Sequence, residues 1–351
     1  MAVATLGMQV AGDIISAALI FYMKGKVLSQ TTEERPTLAM FRNKAKTFPS
    51  GKSFQISEPL QGAYMSDVPG FFAGYTQDQQ LQFTQAQNIL RAIYTGYEMH
   101  AGLAITWTEL KEDGITITDN NKMSNHSDRA ATVLTDLLEN RLEDFGESYN
   151  RGENFTLWKD GSQDPLVTPG ILSILTDTPT LGSTGGLSRQ TYPWWQHRMN
   201  LTLTASAENQ SLTRYLRTDQ RQLRRYGGKP DYLPCGSKFI DALELEVQAK
   251  GVYTQEGFKN EGNTDIGMAD ISMRGVGKFK YDPTLDDLGY SNRCYMIDTR
   301  RLRMRPMQGE DKKLVTPERP YNYMVFFRSC TSTFAVTMTQ LNSSAVYAVA
   351  M

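Results

Sequence analysis

Apolar residues recur in two rhythms along this 351-residue chain. Near the start, Met8, Ala11, Ile15, Ala18 and Phe21 step by three and four, as on one helix face. The surrounding stretch lacks a basic start and carries Asp13 in its middle. Its apolar runs fall short of the ~20 residues a membrane-spanning helix needs. The spacing therefore predicts an amphipathic arm that buries this face on protein, with a membrane anchor as the alternative.

Farther on the rhythm becomes alternation. "SFQISEPL" places Phe54 and Ile56 on one side, and "QLQFTQA" does the same with Leu81 and Phe83. Between them "SDVPGFFAGY" is rich in Gly and Pro, so the pattern predicts two strands joined by a long tip bearing Phe71, Phe72 and Tyr75. A two-stranded ribbon is marginal alone in water. This one either packs on its own domain or reaches a neighbouring subunit.

Helical spacing returns at Ala131, Leu134, Leu138, Leu142 and Phe145, with Ser127 or Asp128 as N-cap and Gly146 or Gly152 as a possible end. A Pro- and Gly-punctuated connection, "DPLVTPGILSILTDTPTLGSTGG", leads into a second region. There "SLTRYLRTDQRQLRRYGG" predicts a helix ended by Gly227 and Gly228. "GSKFIDALELEVQAKG" predicts another, with Ser237 as N-cap, Gly251 at C′ and a stripe of Phe239 or Ile240, Leu243 and Val247. The last quarter is strand-rich: "RCYMIDTRRLRMRP" alternates, and "YNYMVFFRSCTSTFAVTMTQL" abounds in aromatic and β-branched residues. Segregated helices and strands make the class α+β.

Charge and chemistry then narrow the function. Lys plus Arg number 37 against 38 Asp plus Glu, so no net charge steers the whole chain to DNA or an anionic membrane. Cys235, Cys294 and Cys330 are far apart in sequence, odd in number and without C-x-x-C, which argues against a disulfide framework or a zinc site. His100, His126 and His197 lack metal-ligand spacing. No nucleophile elbow, Walker sequence or dinucleotide fingerprint occurs. "RGVGKF" is a turn, and Asp286 and Asp287 sit in "YDPTLDDLGY", which has the composition of a surface loop. The expectation is a protein with no catalytic residues, no metal and no cofactor.

Two constellations remain. Arg214, Arg217, Arg221, Arg224 and Arg225 share one helix face, and Arg301, Arg303 and Arg305 alternate along a predicted strand. Guanidinium groups suit phosphate, but the equally numerous carboxylates suit them too. The second constellation is "GGLSRQTYPWWQHRMN", with Gly185, Gly186, Trp194 and Trp195. Paired indoles could form a stacking platform for sugars or bases, or anchor a turned chain in a core. The scarcity of charged partners nearby favours the structural corner.

"STGGLSRQTYPWWQHRMN" resembles the small–Gly–Gly–aliphatic–x–Arg–x–x–x–x–Trp–Trp segment of tailed-bacteriophage major capsid proteins. "RRYGGKPDYLPCGSKFIDALE", "GVGKFKYDPTLDD" and "RCYMIDTRRLRM" are similar to segments that follow it there, in the same order, so the resemblance covers roughly residues 38 to 340. It implies the Hong Kong 97-type capsid fold: an N-terminal arm at 1–37 and an extended loop at 38–98. It further implies a peripheral domain with a spine helix at 99–169 and 294–334, and an axial domain with a central sheet at 170–293 and 335–351. The Gly–Gly and Trp–Trp corner would hold the axial domain at a fixed angle to the spine helix. Ile15, Phe21, Phe71, Phe72 and Tyr75 would touch neighbouring subunits.

The implied function is an icosahedral shell around packaged double-stranded DNA, assembled in the bacterial host cytoplasm as pentamers and hexamers. The implied partners are other copies of the chain, a separate scaffolding protein, a portal, a possible decoration protein and weakly held DNA, with no membrane. A nanocompartment shell of the same fold, or a nucleic-acid-binding protein using the arginine faces, are the alternatives.

Overall fold

Pro36 opens the first described helix, α1 (Pro36–Asn43), where its missing N–H goes unneeded. The computed structural model describes residues 34–49, 54–68, 71–80, 83, 88–106, 108–109, 128–249, 271–273, 275–315 and 325–350. The amphipathic arm with Ile15 and Phe21, and the proposed stop at Gly251, lie outside them.

Strands β1 (Gln55–Gln61) and β2 (Ile89–Thr95) pair antiparallel, with Leu60 opposite Leu90 and Ile56 opposite Tyr94. This corrects the second strand of the ribbon. Phe83 lies outside every strand, and the partner of β1 begins six residues later. β3 (Tyr97–Thr106) follows at once.

Helix α2 runs over Asp128–Trp158, 31 residues, with Gly146 and Gly152 inside it instead of at its end. Two interior glycines cost about 1 kcal/mol each relative to Ala. The fully buried Leu157 and Trp158 show where the compensating burial lies. The short α3 (Ile171–Ile174) then tucks both its isoleucines inside.

By contact the chain divides into two compact units. One comprises 1–33, 100–152 and 312–331, the other 34–99, 153–311 and 332–351. In the first, Lys312 Nζ donates to Asn150 Oδ1 at 2.8 Å, and the strand β12 (Lys313–Val315) pairs with Ser329–Thr331 of β13 (Val325–Met338).

The second unit is built on a six-stranded mixed sheet in the order β6 (Arg198–Leu203), β14 (Ala345–Val349), β10 (Arg293–Met296), β7 (Leu233–Cys235), β9 (Gly277–Tyr281), β8 (Ser272–Met273). Side chains alternate across it. Cys294, Met296, Ala345 and Tyr347 enter a core shared with α4 (Ser211–Arg225) and α5 (Ser237–Ala249), through Leu212, Leu216, Leu223, Phe239 and Leu243. Tyr295 and Val346 face the opposite core, with Phe41, Trp158, Ile171 and Trp195. Such two-sided burial explains why all of β14 is apolar and buried.

Polar groups fix the helix ends. Glu246 of α5 accepts from the backbone N–H groups of Leu212 and Thr213, 2.9 and 2.8 Å away, at the start of α4. Burial raises its carboxyl pKa, but these bonds outweigh burial and hold it below the ordinary range. At the other end Gly227, with φ +78°, lets the Gly228 N–H reach Leu223 O at 3.1 Å, a Schellman stop.

Two sequence readings need correction. "YDPTLDD" is not a surface loop: the fully buried Asp282 caps α6 (Pro283–Asp287) and also accepts from Trp158 Nε1 at 3.2 Å. "RCYMIDTRRLRMRP" is not one strand. Buried Asp298 accepts from Lys229 N, Arg300 N and the Arg300 guanidinium, and turns the chain between β10 and β11 (Leu302–Pro306), which belong to different sheets.

The fold also brings together two cysteines that are far apart in sequence. Cys235 and Cys294 stand directly opposite on β7 and β10, both fully buried as free thiols. Burial, then the neighbouring Cys294, pushes the Cys235 thiol up.

Candidate functional site

The tryptophan corner begins with a hairpin of β4 (Ser183–Thr184) and β5 (Leu187–Ser188). Gly185 and Gly186, at φ +60° and +78°, form its two-residue turn, the left-handed geometry that glycine adopts without steric penalty. The turn lies directly on the ribbon. A Cβ on Gly185 would fall 2.8 Å from Ala92 Cβ and 3.1 Å from the Tyr94 ring. Gly185 O accepts from Ile93 N at 2.9 Å.

The indoles complete the clasp. Trp195 is 1 % exposed and donates Nε1–H to Thr184 O at 3.1 Å. Trp194 meets it edge-on, ring centres 5.9 Å apart, and also packs on Tyr192 at 5.6 Å. Gly62, just past β1, sits so close that a Cβ there would overlap the Trp194 ring. The corner therefore pins the base of the ribbon. His197 and Arg189 are buried behind it. The His197 imidazole contacts Thr176 O through Nε2 at 2.7 Å, while its Nδ1 has no partner. Burial pushes it down to about 4, against a raising effect of the Thr176 bond and with Arg189 adding to the depression.

Further bonds tie down the same strands. Tyr94 OH donates to Met338 O at 2.9 Å, and Arg305 pairs with Glu58 of β1 while its Nε donates to Thr337 Oγ1 at 3.1 Å. The inner face of the ribbon (Leu60, Ala92, Tyr94) is thus buried in its own unit.

Its other face and its tip are not. Ile89 and Ile93 point outward, and no described residue between 62 and 88 is buried. Phe72 is 98 % and Phe83 93 % exposed, and Phe71 and Tyr75 are exposed beside them. Of fifteen exposed large apolar residues among those described, nine lie between Phe54 and Ile93. Scattered single apolar residues are normal on a surface, but such a concentration marks an interaction site.

The arginines separate into two kinds. Arg303 and Arg305 share a half-buried face of β11, with Arg305 consumed by Glu58, whereas Arg301 precedes the strand in an exposed turn and does not join them. On α4, Arg214, Arg217, Arg221, Arg224 and Arg225 are all exposed, opposite the buried Leu212, Leu216 and Leu223.

Among the described residues no group of three or more His, Cys, Asp or Glu could hold a metal ion. No described helix is long and apolar enough to cross a membrane.

No protein-family model matches the sequence, and no curated protein does. Solved structures do. A chain of the cyanophage A-1(L) capsid asymmetric unit superposes with a TM-score of 0.60 at 13 % identity, covering 92 % of this chain and 94 % of that one. A chain of the capsid of an empty GTA particle gives 0.55 at 14 % identity, covering 93 % and 100 %. A chain of the capsid of Myoviridae phage XM1 gives 0.54 at 11 % identity, again covering 93 % and 100 %. Agreement over nine-tenths of both partners at such low identity is agreement of fold: this chain has the α+β capsid fold of tailed phages, the Hong Kong 97 type.

Proposed function

We propose that the protein is the major capsid subunit of a tailed phage, assembling with copies of itself into an icosahedral shell around double-stranded DNA. The observation that carries this reading is the ribbon. Its base is clasped by the corner, while its outer face and tip present apolar side chains, aromatic at the tip, that no described residue covers. A fixed base and an adhesive tip suit an element that lies across the next subunit. Many such modest contacts, closed by symmetry, give a stable assembly through multivalency. Function then resides in shape, and no catalytic role is assigned to any residue.

The test is electron microscopy of the purified protein, alone and co-expressed with the scaffolding protein of its source. Closed shells containing nuclease-protected DNA support the reading. Shells filled with protein cargo would replace it with a nanocompartment, and a monomer under every assembly condition would overturn both.

A further inference from the structure

The basic face of α4 is unlike the rest of the molecule. The chain is nearly neutral, yet this helix carries five exposed arginines and only one acid. That acid, Asp219, is buried against the Arg198 guanidinium at 2.5 Å and the Tyr347 hydroxyl. At 3.6 residues per turn the five guanidinium stems fall within an arc of about 100°, spread over ~16 Å of helix. None of them forms an ion pair with a described carboxylate. A cavity of about 390 Å³ opens at the C-terminal end of this stripe, lined by Gln220, Arg224, Gly227, Gly228, Lys229, Pro230 and Val276. Arg224 and Lys229 supply two cations to its lining.

We infer that this face and cavity form a binding site for the phosphate backbone of nucleic acid. The arginines track successive phosphates, and the cavity receives one of them between Arg224 and Lys229. Guanidinium groups match phosphate oxygens bidentately, and a row of them without base-reading geometry binds irrespective of sequence. The inference assigns DNA contact to α4 instead of β11, whose Arg305 already serves Glu58. It rests on the proposed enclosure of DNA for the identity of the polyanion.

The experiment titrates full-length protein against a short labelled DNA duplex across a salt series, with polyglutamate as competitor. The variants are R214Q/R217Q/R221Q, R224Q/K229Q and, as a control on β11, R303Q, each checked for native circular dichroism. Each lost phosphate contact flattens the slope of log K against log salt by about 0.9, so the triple variant should flatten it by about 2 to 3. R224Q/K229Q should flatten it by up to about 2, and R303Q should leave it unchanged. A folded triple variant with the parental slope overturns the inference, as does polyglutamate displacing DNA at equal charge, which would make an acidic protein segment the occupant. Shells that still form from a triple variant that no longer binds DNA support it. A parental protein that binds DNA with a steep salt slope but forms no shells would count against the capsid reading alone.

Discussion

Gly185 and Gly186 occupy one turn with different surroundings. Both need left-handed backbone, which costs an L-residue about 1–2 kcal/mol. Around Gly186 there is open space, whereas Gly185 abuts Ala92 and Tyr94. Gly186→Ala should therefore lose only the conformational amount. Gly185→Ala should lose roughly 1–3 kcal/mol more through overpacking; equal losses in urea denaturation would refute the close approach. His197 sets a pH limit at the same place. Its folded value, about 4, lies below the ordinary 6.5, so the unfolded chain binds the extra proton first. Stability is untouched above about pH 6.5 and falls as pH drops toward about 4, by up to roughly 3 kcal/mol. Glu246, also depressed, adds to the loss at still lower pH. Stability curves of the parent and His197→Gln should run parallel above about pH 6.5 and change their separation between about pH 6.5 and 4, the variant staying flatter there.

The ribbon shows how far an element can be read from its letters. "QLQFTQA" alternates cleanly, but Phe83 has no described surface to cover it. The real strand, "ILRAIYT", hides its period because its outward face mixes Ile89 and Ile93 with Arg91 and Thr95, while Leu90, Ala92 and Tyr94 turn inward. The two exposed isoleucines break the apolar-in, polar-out alternation by which a half-buried strand is recognised. The long helix, the Schellman stop of α4 and the aromatic tip were legible from spacing and glycine placement. What the tryptophans clasp was not, because their partners, Gly62 and Ala92, are small residues that carry no pattern. Nor does alternation reveal that Asp298 breaks one apparent strand into two. The tie between β1 and β11 makes a separate prediction. Arg305→Ala and Glu58→Ala, alone and together, should give a coupling energy of about 1–2 kcal/mol in a double-mutant cycle, since both groups are largely buried.

At the scale of the whole molecule, the stability of the folded chain and the assembly proposed for it are separable. Phe72→Ser with Phe83→Ser removes no buried contact, so thermal unfolding of the isolated subunit should move by no more than about 0.5 kcal/mol. Under the proposed function the same double variant should fail to form shells by electron microscopy. A parental yield of shells would remove the tip from the assembly surface. Trp195→Ala should do the reverse, costing about 3–5 kcal/mol of subunit stability before assembly is even in question. The position of β14 bears on cooperativity. Residues 345–349 lie between β6 and β10 and supply Val346 to one core and Ala345 and Tyr347 to the other, so neither core closes without them. One short strand thus makes the two cores interdependent, and a change at Val346 should be felt on both faces of the sheet.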